Sequence, residues 1–308
     1  MPDLAVLLMA YGTPTSERDM EAYLTDITRG RRPTQTAVEN LIDRYRKIGG
    51  RSPLLDISNA QASALEKSLG AQGMDVRVYV GMKHWHPYIG EVIPRIANDG
   101  LRRIVALALA PHYSDISIGG YKQALDKGLA TTSDMQADFV DSWYDHPLFH
   151  RAVAEKVKQA LEQFRKSRSV EFLFTAHSLP ERILEQHDPY PSQLHSSCEA
   201  VADLLNLDQW SFAYQSAGQT AEKWLGPDLL ESLQELSQHD KNSNVLVVPI
   251  GFVADHLEIL YDIDVEAKEF ARTHGLNLNR TESLNTSPTF ISALTDIVLK
   301  RVNHDKWA

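Results

Sequence analysis

Short apolar runs alternate with longer amphipathic stretches along the whole chain, and this alternation predicts an α/β fold. In the first half the runs predict strands at 5–10, 76–80, 104–110 and 139–142. In the second half they predict strands at 172–175, 211–214, 245–248 and 276–280. Helices are predicted at 147–164, at 255–274 and at 288–302. The order of elements and their punctuation repeat between the halves, best seen in "LLMAYGTP" and "FLFTAHSLP".

This repetition predicts two similar open sheets, each four-stranded, parallel and flanked by helices. We place the first domain at 1–145 and the second at 146–308, with the final helix free to pack across the boundary. In such sheets ligands bind outside the carboxyl ends of the strands. Five features fall there: Tyr11, His84, His112, His177 and the segment after Pro249. No G-x-G-x-x-G or P-loop motif follows a strand, so dinucleotide and nucleotide sites lack support.

The segment 255–274 carries an acidic row that gives this edge a possible chemistry. Glu258, Asp262 and Glu266 lie four residues apart and share one helix face. They form either a solvated acidic stripe or a path of oxygen ligands that leads a cation to His177, since carboxylate and imidazole together suit divalent first-row metals. His177 itself is either a packed residue or a catalytic one. Ser178 lacks the G-x-S-x-G context of a hydrolase nucleophile.

Composition narrows the function further. The 308 residues carry a net charge of −10, which argues against nucleic acid as the main partner. A single cysteine, Cys198, excludes an internal disulfide framework and a four-cysteine metal site, and it fits a reducing cytosol. The chain shows neither a signal peptide nor an apolar run of about 18 residues, so no membrane span is expected. Residues 27–55 hold seven basic and two acidic side chains, which indicates either a solvated surface or a lip for an anionic ligand.

These residues together resemble the class I ferrochelatases, in particular the compact soluble type of Gram-positive bacteria. The resemblance rests on stretches that follow one another over nearly the whole chain. They include "RYRKIGGRSPL", "VGMKHWHP", "LALAPHYS", "SWYDHPLF", "DPYPSQLHSS" and "PIGFVADHLEILYDID". It implies two Rossmann-like domains with a porphyrin cleft between them. It also implies a lyase that inserts Fe²⁺ into a porphyrin in haem biosynthesis.

The resemblance also assigns roles to individual residues. His177 becomes a proton acceptor and metal ligand, with Glu258 facing it from the other domain and Asp262 and Glu266 continuing the metal path towards solvent. The porphyrin and its carboxylates are assigned to Tyr11, Arg29, Arg44, Tyr45, Ser52, Tyr121 and Trp224. Thr28 stands where the Gram-positive enzymes carry a basic residue, so that contact falls to Arg29 or Arg31.

The resemblance favours coproporphyrin III as the substrate, which would give Fe-coproporphyrin, because compact Gram-positive relatives act on it. Two alternatives are a protoporphyrin IX ferrochelatase and a carrier that binds a tetrapyrrole or metal without chemistry. Fe²⁺ and porphyrin are expected as substrates, with no permanently bound cofactor and no iron–sulfur cluster. A cytoplasmic monomer is expected. At neutral pH, a histidine with an ordinary pKa near ~6.5 suits the removal of pyrrole protons.

Overall fold

The computed structural model describes residues 4–164, 169–218, 220–239 and 243–302. The chain divides into two compact units, one of Met1–Leu148 with Asn285–Ala308 and the other of Phe149–Leu284. The strands are β1 (Leu4–Ala10), β2 (Arg77–Met82), β3 (Arg103–Ala108), β4 (Gln136–Val140), β5 (Val170–His177), β6 (Ser211–Gln215), β7 (Asn244–Val248) and β8 (Asn277–Arg280). The α-helices are α1 (Met20–Ile27), α2 (Gln35–Lys47), α3 (Leu54–Ala71), α4 (Ile89–Asn98), α5 (Ile118–Leu129), α6 (Pro147–Leu161), α7 (Tyr190–Leu205), α8 (Leu229–His239), α9 (Lys268–Thr273) and α10 (Pro288–Val302).

Each unit is built on a four-stranded parallel sheet, and both sheets have the same strand order. The order is β2-β1-β3-β4 in the first unit and β6-β5-β7-β8 in the second. The central strands β1 and β7 are buried along their whole length, because helices cover both faces of a parallel sheet. The predicted fold class and the internal repetition are therefore confirmed.

The final helix α10 belongs to the first compact unit, which is the packing across the domain boundary that the sequence analysis left open. Its inner face is apolar, with Phe290, Leu294 and Val298 fully buried. This helix packs on α3, where the Thr295 hydroxyl donates to Ser68 Oγ at 2.8 Å. Burying that apolar stripe stabilises the return of the chain to the first unit.

The predicted helix at 255–274 is also corrected. Its central part, Ile259–Ala267, is a π-helix that continues into α9, and residues 253–256 precede the helix in an irregular conformation. In the second unit the chain runs from β5 out to β6 and then crosses back to β7, so the sheet has its switch point between β5 and β7. Ligands bind at this point in open sheets. Gly251 follows β7 there because an added Cβ would lie only 2.7 Å from Ala176 Cβ.

Candidate active site

His177 is the last residue of β5, and the backbone around it is held on two sides. The Ser178 amide donates to Gln215 O at 2.8 Å, and the Tyr190 hydroxyl donates to His177 O at 3.0 Å. On the imidazole ring, Nδ1 bonds the Ser178 carbonyl and is therefore the protonated nitrogen. The strand end thus fixes the ring and leaves Nε2 for a second partner.

That second partner is Glu258, whose Oε1 lies 3.5 Å from His177 Nε2. Its other carboxylate oxygen, Oε2, lies 3.5 Å from Nε2 of His256. His256 is oriented in turn by its Nδ1, which donates to Ala254 O at 2.9 Å. Glu258 therefore sits between two imidazole rings. All three side chains keep some access to solvent, with 32%, 29% and 16% of the His177, Glu258 and His256 side chains exposed.

The prediction that Glu258 faces His177 from the other domain is wrong. Both residues belong to the unit of Phe149–Leu284. The reason is topological: β7 pairs directly with β5, so the segment that follows β7 returns to the end of β5. The Gln215 side chain supports this return, because its Nε2 donates to the Glu258 carbonyl at 3.3 Å.

The two charges of the pair shift each other's titration. Burial on its own would lower the pKa of His177, but the Glu258 carboxylate and the Ser178 carbonyl outweigh it and raise that pKa to about 9. Burial likewise favours the neutral form of Glu258, but the charges and hydrogen bonds of His177 and His256 hold the pKa of this carboxyl well below its usual range. At neutral pH the free protein therefore contains an imidazolium and a carboxylate. The expected neutral histidine is not the form that the unliganded pair favours.

The acidic row continues from Glu258 along the π-helix with a change in exposure. Asp262 is buried and accepts a hydrogen bond from the Ser216 hydroxyl, whereas Glu266 is exposed. The row therefore runs from an enclosed carboxylate to a solvated one. Among the described residues, no group of three or more histidine, cysteine or acidic side chains forms a ready-made metal site.

Trp224 flanks the histidine, with its ring centroid 6.5 Å from that of His177. Its indole nitrogen donates to Thr220 Oγ1 at 3.0 Å. Gly218 makes room for the ring, because an added Cβ would lie 2.3 Å from Trp224 Cζ2. A flat apolar wall thus stands beside the His177–Glu258 pair in the second unit.

The equivalent edge of the first unit presents a second cluster around Tyr11. This residue directly follows β1, and it is 40% exposed. Its ring lies 4.6 Å from that of His84, whose Nδ1 is 2.8 Å from Asp26 Oδ2. Burial lowers the pKa of His84, against the effect of Asp26. The Asp26 carboxylate thus orients the His84 ring, and because burial lowers the pKa of this ring, its neutral form is favoured more than in an exposed histidine.

Lys83 brings a positive charge into this cluster. Its ammonium donates to Ser117 O at 3.4 Å and lies 5.8 Å and 5.1 Å from the ring centres of Tyr11 and Tyr121. Burial and the neighbouring Arg29 charge lower the pKa of Lys83 to about 8. A partly buried cation of this kind favours an anionic ligand, because a bound carboxylate would compensate the lost hydration.

The basic stretch at 27–55 is less positive in the structure than its composition suggests. Four of its seven cations are paired with carboxylates, namely Arg32 with Glu21, Arg46 with Glu17, Lys47 with Asp43 and Arg51 with Asp56. Arg29 lies outside these pairs and is exposed, in a left-handed conformation with φ of 56°. The Thr28 hydroxyl donates to carbonyls at the end of α1, among them Leu24 O at 2.8 Å. Arg31 is likewise exposed and outside these four pairs, and Lys83 adds a partly buried cation from outside the stretch.

Comparison with known proteins identifies the family. Residues 3–302 match the family model described as Ferrochelatase. A protein from Herpetosiphon aurantiacus named Ferrochelatase is 45% identical over 96% of this chain and 97% of its own length. The chain belongs to the ferrochelatase family. It is therefore a metal-chelating lyase that inserts iron into a porphyrin in haem biosynthesis.

Two further likenesses agree with this assignment. A protein from Geobacillus kaustophilus named Coproporphyrin III ferrochelatase is 41% identical over 96% of this chain and 95% of its own length. The structure of SirB from Bacillus subtilis with Fe³⁺ superimposes with a TM-score of 0.60 over 97% of this chain and 95% of that one. At 10% identity SirB supports the fold alone. Across the described ranges, no helix of this ferrochelatase is both long and apolar enough to cross a bilayer.

The other predicted porphyrin contacts of the ferrochelatase lie in the first unit and are more enclosed than Tyr11. Tyr45 is 1% exposed, and its hydroxyl is 2.8 Å from Thr13 Oγ1. Ser52 and Tyr121 are also buried, whereas Arg44 on α2 is half-buried. The Tyr121 ring lies 5.1 Å from the Lys83 ammonium and therefore borders the Tyr11 cluster.

Sequence reasoning did not assign a role to Lys83, His256 or Gln215. Lys83 comes directly after β2, so the strand-end rule that selected Tyr11 and His84 also covers it. His256 was missed because it precedes the acidic row, and only the irregular turn before the π-helix brings it to Glu258. His112, which the strand-end rule did select, is 3% exposed, and its ring lies 6.4 Å from that of Tyr144.

Proposed function

We propose that this ferrochelatase inserts Fe²⁺ into coproporphyrin III, with His177 and Glu258 handling the metal and the pyrrole protons. One observation carries the proposal: the Glu258 carboxylate is held between the His177 and His256 rings at the sheet's switch point. Metallation needs a site that receives a dication and accepts two protons. A carboxylate flanked by two imidazoles offers both oxygen and nitrogen ligands for Fe²⁺ and groups that can accept protons.

The raised pKa of His177 orders these events. While Glu258 is free, its negative charge keeps His177 protonated. Fe²⁺ that binds the Glu258 carboxylate cancels this charge, so the pKa of His177 falls and the imidazolium releases its proton. The neutral Nε2 then accepts one pyrrole proton. The second proton goes to the carboxylate–imidazole pair of Glu258 and His256, and the porphyrin leaves as the iron complex.

Asp262 and Glu266 extend this site in the proposal. Glu266 is solvated and Asp262 is enclosed, so a cation would meet the more hydrated ligand first and lose water gradually. Carboxylate oxygens hold hydrated divalent ions without requiring full dehydration. In this reading the acidic row serves as the delivery route for Fe²⁺.

The Tyr11 cluster supports the choice of coproporphyrin. Coproporphyrin III carries four propionates and protoporphyrin IX carries two. Lys83 lies over the Tyr11 and Tyr121 rings, Arg29 is close enough to lower the pKa of Lys83, and Arg44 adds a third cation in the same unit. A charge-assisted bond contributes about 1.5–3 kcal/mol, so each extra propionate that is well held could favour binding by about tenfold or more. The name of the Geobacillus kaustophilus relative points the same way.

The remaining predicted residues are proposed to contact the porphyrin, each from its own unit. Tyr11 and Trp224 offer aromatic faces to the macrocycle, while Tyr45, Ser52 and Tyr121 fix the walls that hold its carboxylates. Binding energy from the propionates can then bend the ring and expose its nitrogen lone pairs. A non-catalytic carrier of tetrapyrroles would need neither the acid–base pair nor the acidic row. Cytoplasmic location and a monomeric state stay predictions from the sequence.

The test compares kcat/KM for the two porphyrins under anaerobic conditions with Fe²⁺, at low and moderate salt. Coproporphyrin III should be metallated with the higher kcat/KM, and its advantage should shrink with salt and in Arg29→Met. Arg32→Met is the matched control, because Arg32 lies in the same stretch but pairs with Glu21 at the surface. Equal efficiency for both porphyrins, insensitive to salt and to Arg29→Met, would contradict the proposed substrate. Uptake of a single metal per chain without turnover would instead indicate the carrier.

A further inference from the structure

A buried arginine stands at the end of the outermost strand of the second sheet. Arg280 is the last residue of β8, and its side chain is 12% exposed. Its guanidinium donates to both oxygens of Asp264, with Nε and Nη2 at 3.0 Å and 2.8 Å from Oδ2. The same Nη2 lies 3.1 Å from Asp255 Oδ1, and Nη1 donates to Thr281 O at 3.0 Å. All three guanidinium nitrogens are thus engaged.

The two carboxylates that Arg280 holds lie on either side of the catalytic residues in sequence. Asp255 directly precedes His256, before the helix begins, and Asp264 lies within the π-helix. Both carboxylates are secured by additional partners, since Ser283 donates to Asp255 Oδ1 at 2.8 Å and Lys268 donates to Asp264 Oδ1 at 2.9 Å. One rigid side chain therefore ties down both ends of the segment 255–264.

We propose that Arg280 is a positioning residue, which holds segment 255–264 so that Glu258 stays between His177 and His256; this inference rests on the proposed function. The segment needs such a tie because its first residues are irregular, and no regular hydrogen-bond ladder fixes residues 253–256. A planar guanidinium can bridge two carboxylates at defined angles, whereas an ammonium cannot keep the same geometry. A buried ion pair often adds little net stability compared with apolar residues of the same size. We therefore assign this ion pair the role of favouring one conformation of segment 255–264.

The first test is Arg280→Lys, which keeps the charge but removes the fork. We expect kcat for metallation to fall about 10- to 100-fold, because a misplacement of about 1 Å at a reacting group costs that much. The KM for porphyrin should stay within about twofold of the wild-type value, since Arg280 binds Asp264, Asp255 and Thr281 and not the residues proposed to hold the porphyrin. Arg272→Lys is the matched control. Arg272 forms an equally bidentate pair with Glu269, but both side chains are mostly exposed.

The second test does not depend on activity. Amide hydrogen exchange should accelerate over residues 255–264 in Arg280→Lys, while exchange in β5 and β7 stays as in the wild type. If Arg280→Lys fails to fold, Asp255→Asn releases only one end of the segment and should show the same two effects to a smaller degree. Wild-type kcat in folded Arg280→Lys, or unchanged exchange over 255–264, would overturn the positioning role. A wild-type protein that metallates no porphyrin would refute the proposed function, and the exchange experiment would still decide the inference.

Discussion

Removing the charge of Glu258 should change the titration of His177 more than any other single substitution. In Glu258→Gln the carboxylate that lies 3.5 Å from His177 Nε2 becomes a neutral amide of the same shape. The negative charge that mainly opposed the effect of burial is then gone, and burial favours the neutral imidazole. We expect the pKa of His177 to fall from about 9 to below its ordinary value of about 6.5.

The raised pKa corresponds to a preference for the imidazolium on the order of 3 kcal/mol. Solvent reaches both side chains, which are 32% and 29% exposed, and screening reduces this figure. The folded-state pKa of His177 lies above the ordinary one and that of Glu258 lies below it, so the pair stabilises the fold fully between the ordinary carboxyl pKa of about 4.3 and pH ~6.5. This contribution is lost as the pH rises through about 9. The melting temperature of the wild type should therefore exceed that of Glu258→Gln at pH 6, and the difference should shrink by pH 9.5.

The assay is an NMR titration of histidine ring protons, with His177 assigned by the signal that disappears in His177→Asn. In the wild type the His177 signal should titrate near pH 9, and in Glu258→Gln the same signal should titrate below about pH 6.5. His195→Asn is a control, since His195 pairs with Glu199 at the surface. A His177 pKa that stays near 9 in Glu258→Gln would show that Glu258 is not the group that stabilises the imidazolium.

Two further predictions concern the substrates. Lys83 has a pKa of about 8, so it loses its charge as pH rises through that value; KM for coproporphyrin III should increase between pH 7 and 9, and Lys83→Met should abolish this dependence without changing kcat greatly. A KM that is independent of pH in the wild type would exclude Lys83 as a carboxylate partner. Asp262→Asn and Glu266→Gln should raise the Fe²⁺ concentration needed for half-maximal rate severalfold, with little change in KM for porphyrin. Wild-type iron dependence in both variants would exclude Asp262 and Glu266 from the delivery of iron.

The fold could be predicted because its two sequence signals, apolar strand runs and the turn residues that follow them, are both local. Short, fully apolar runs such as Leu4–Ala10 that end in turn residues favour buried strands of a parallel sheet, and the turn residues after them mark the functional edge. His177 was found in this way, because a histidine that ends such a run is placed at the switch point. The sequence left open which unit α10 joins, because an apolar helix face does not by itself name the surface that it packs on.

The site was harder to predict where distant segments meet. The four-residue spacing of Glu258, Asp262 and Glu266 predicted that they share one helix face. It did not predict the π-helix that carries them or the irregular turn that places His256 beside Glu258. Spacing also could not show that carboxylates from other segments neutralise much of the 27–55 stretch, as Glu17 does for Arg46. Charge counted along a sequence therefore overstates the charge that a ligand meets.

The most direct test of the His177–Glu258 mechanism is multiple-turnover metallation of coproporphyrin III by His177→Ala, with porphyrin binding measured on the same samples. His177 ends a strand and its side chain is 32% exposed, so the substitution should leave the fold intact. If His177 is the proton acceptor, His177→Ala should bind coproporphyrin III with nearly wild-type affinity and show no iron insertion above the uncatalysed rate, while His195→Ala should turn over like the wild type. A folded His177→Ala protein that retains most of the wild-type turnover would contradict this role of His177.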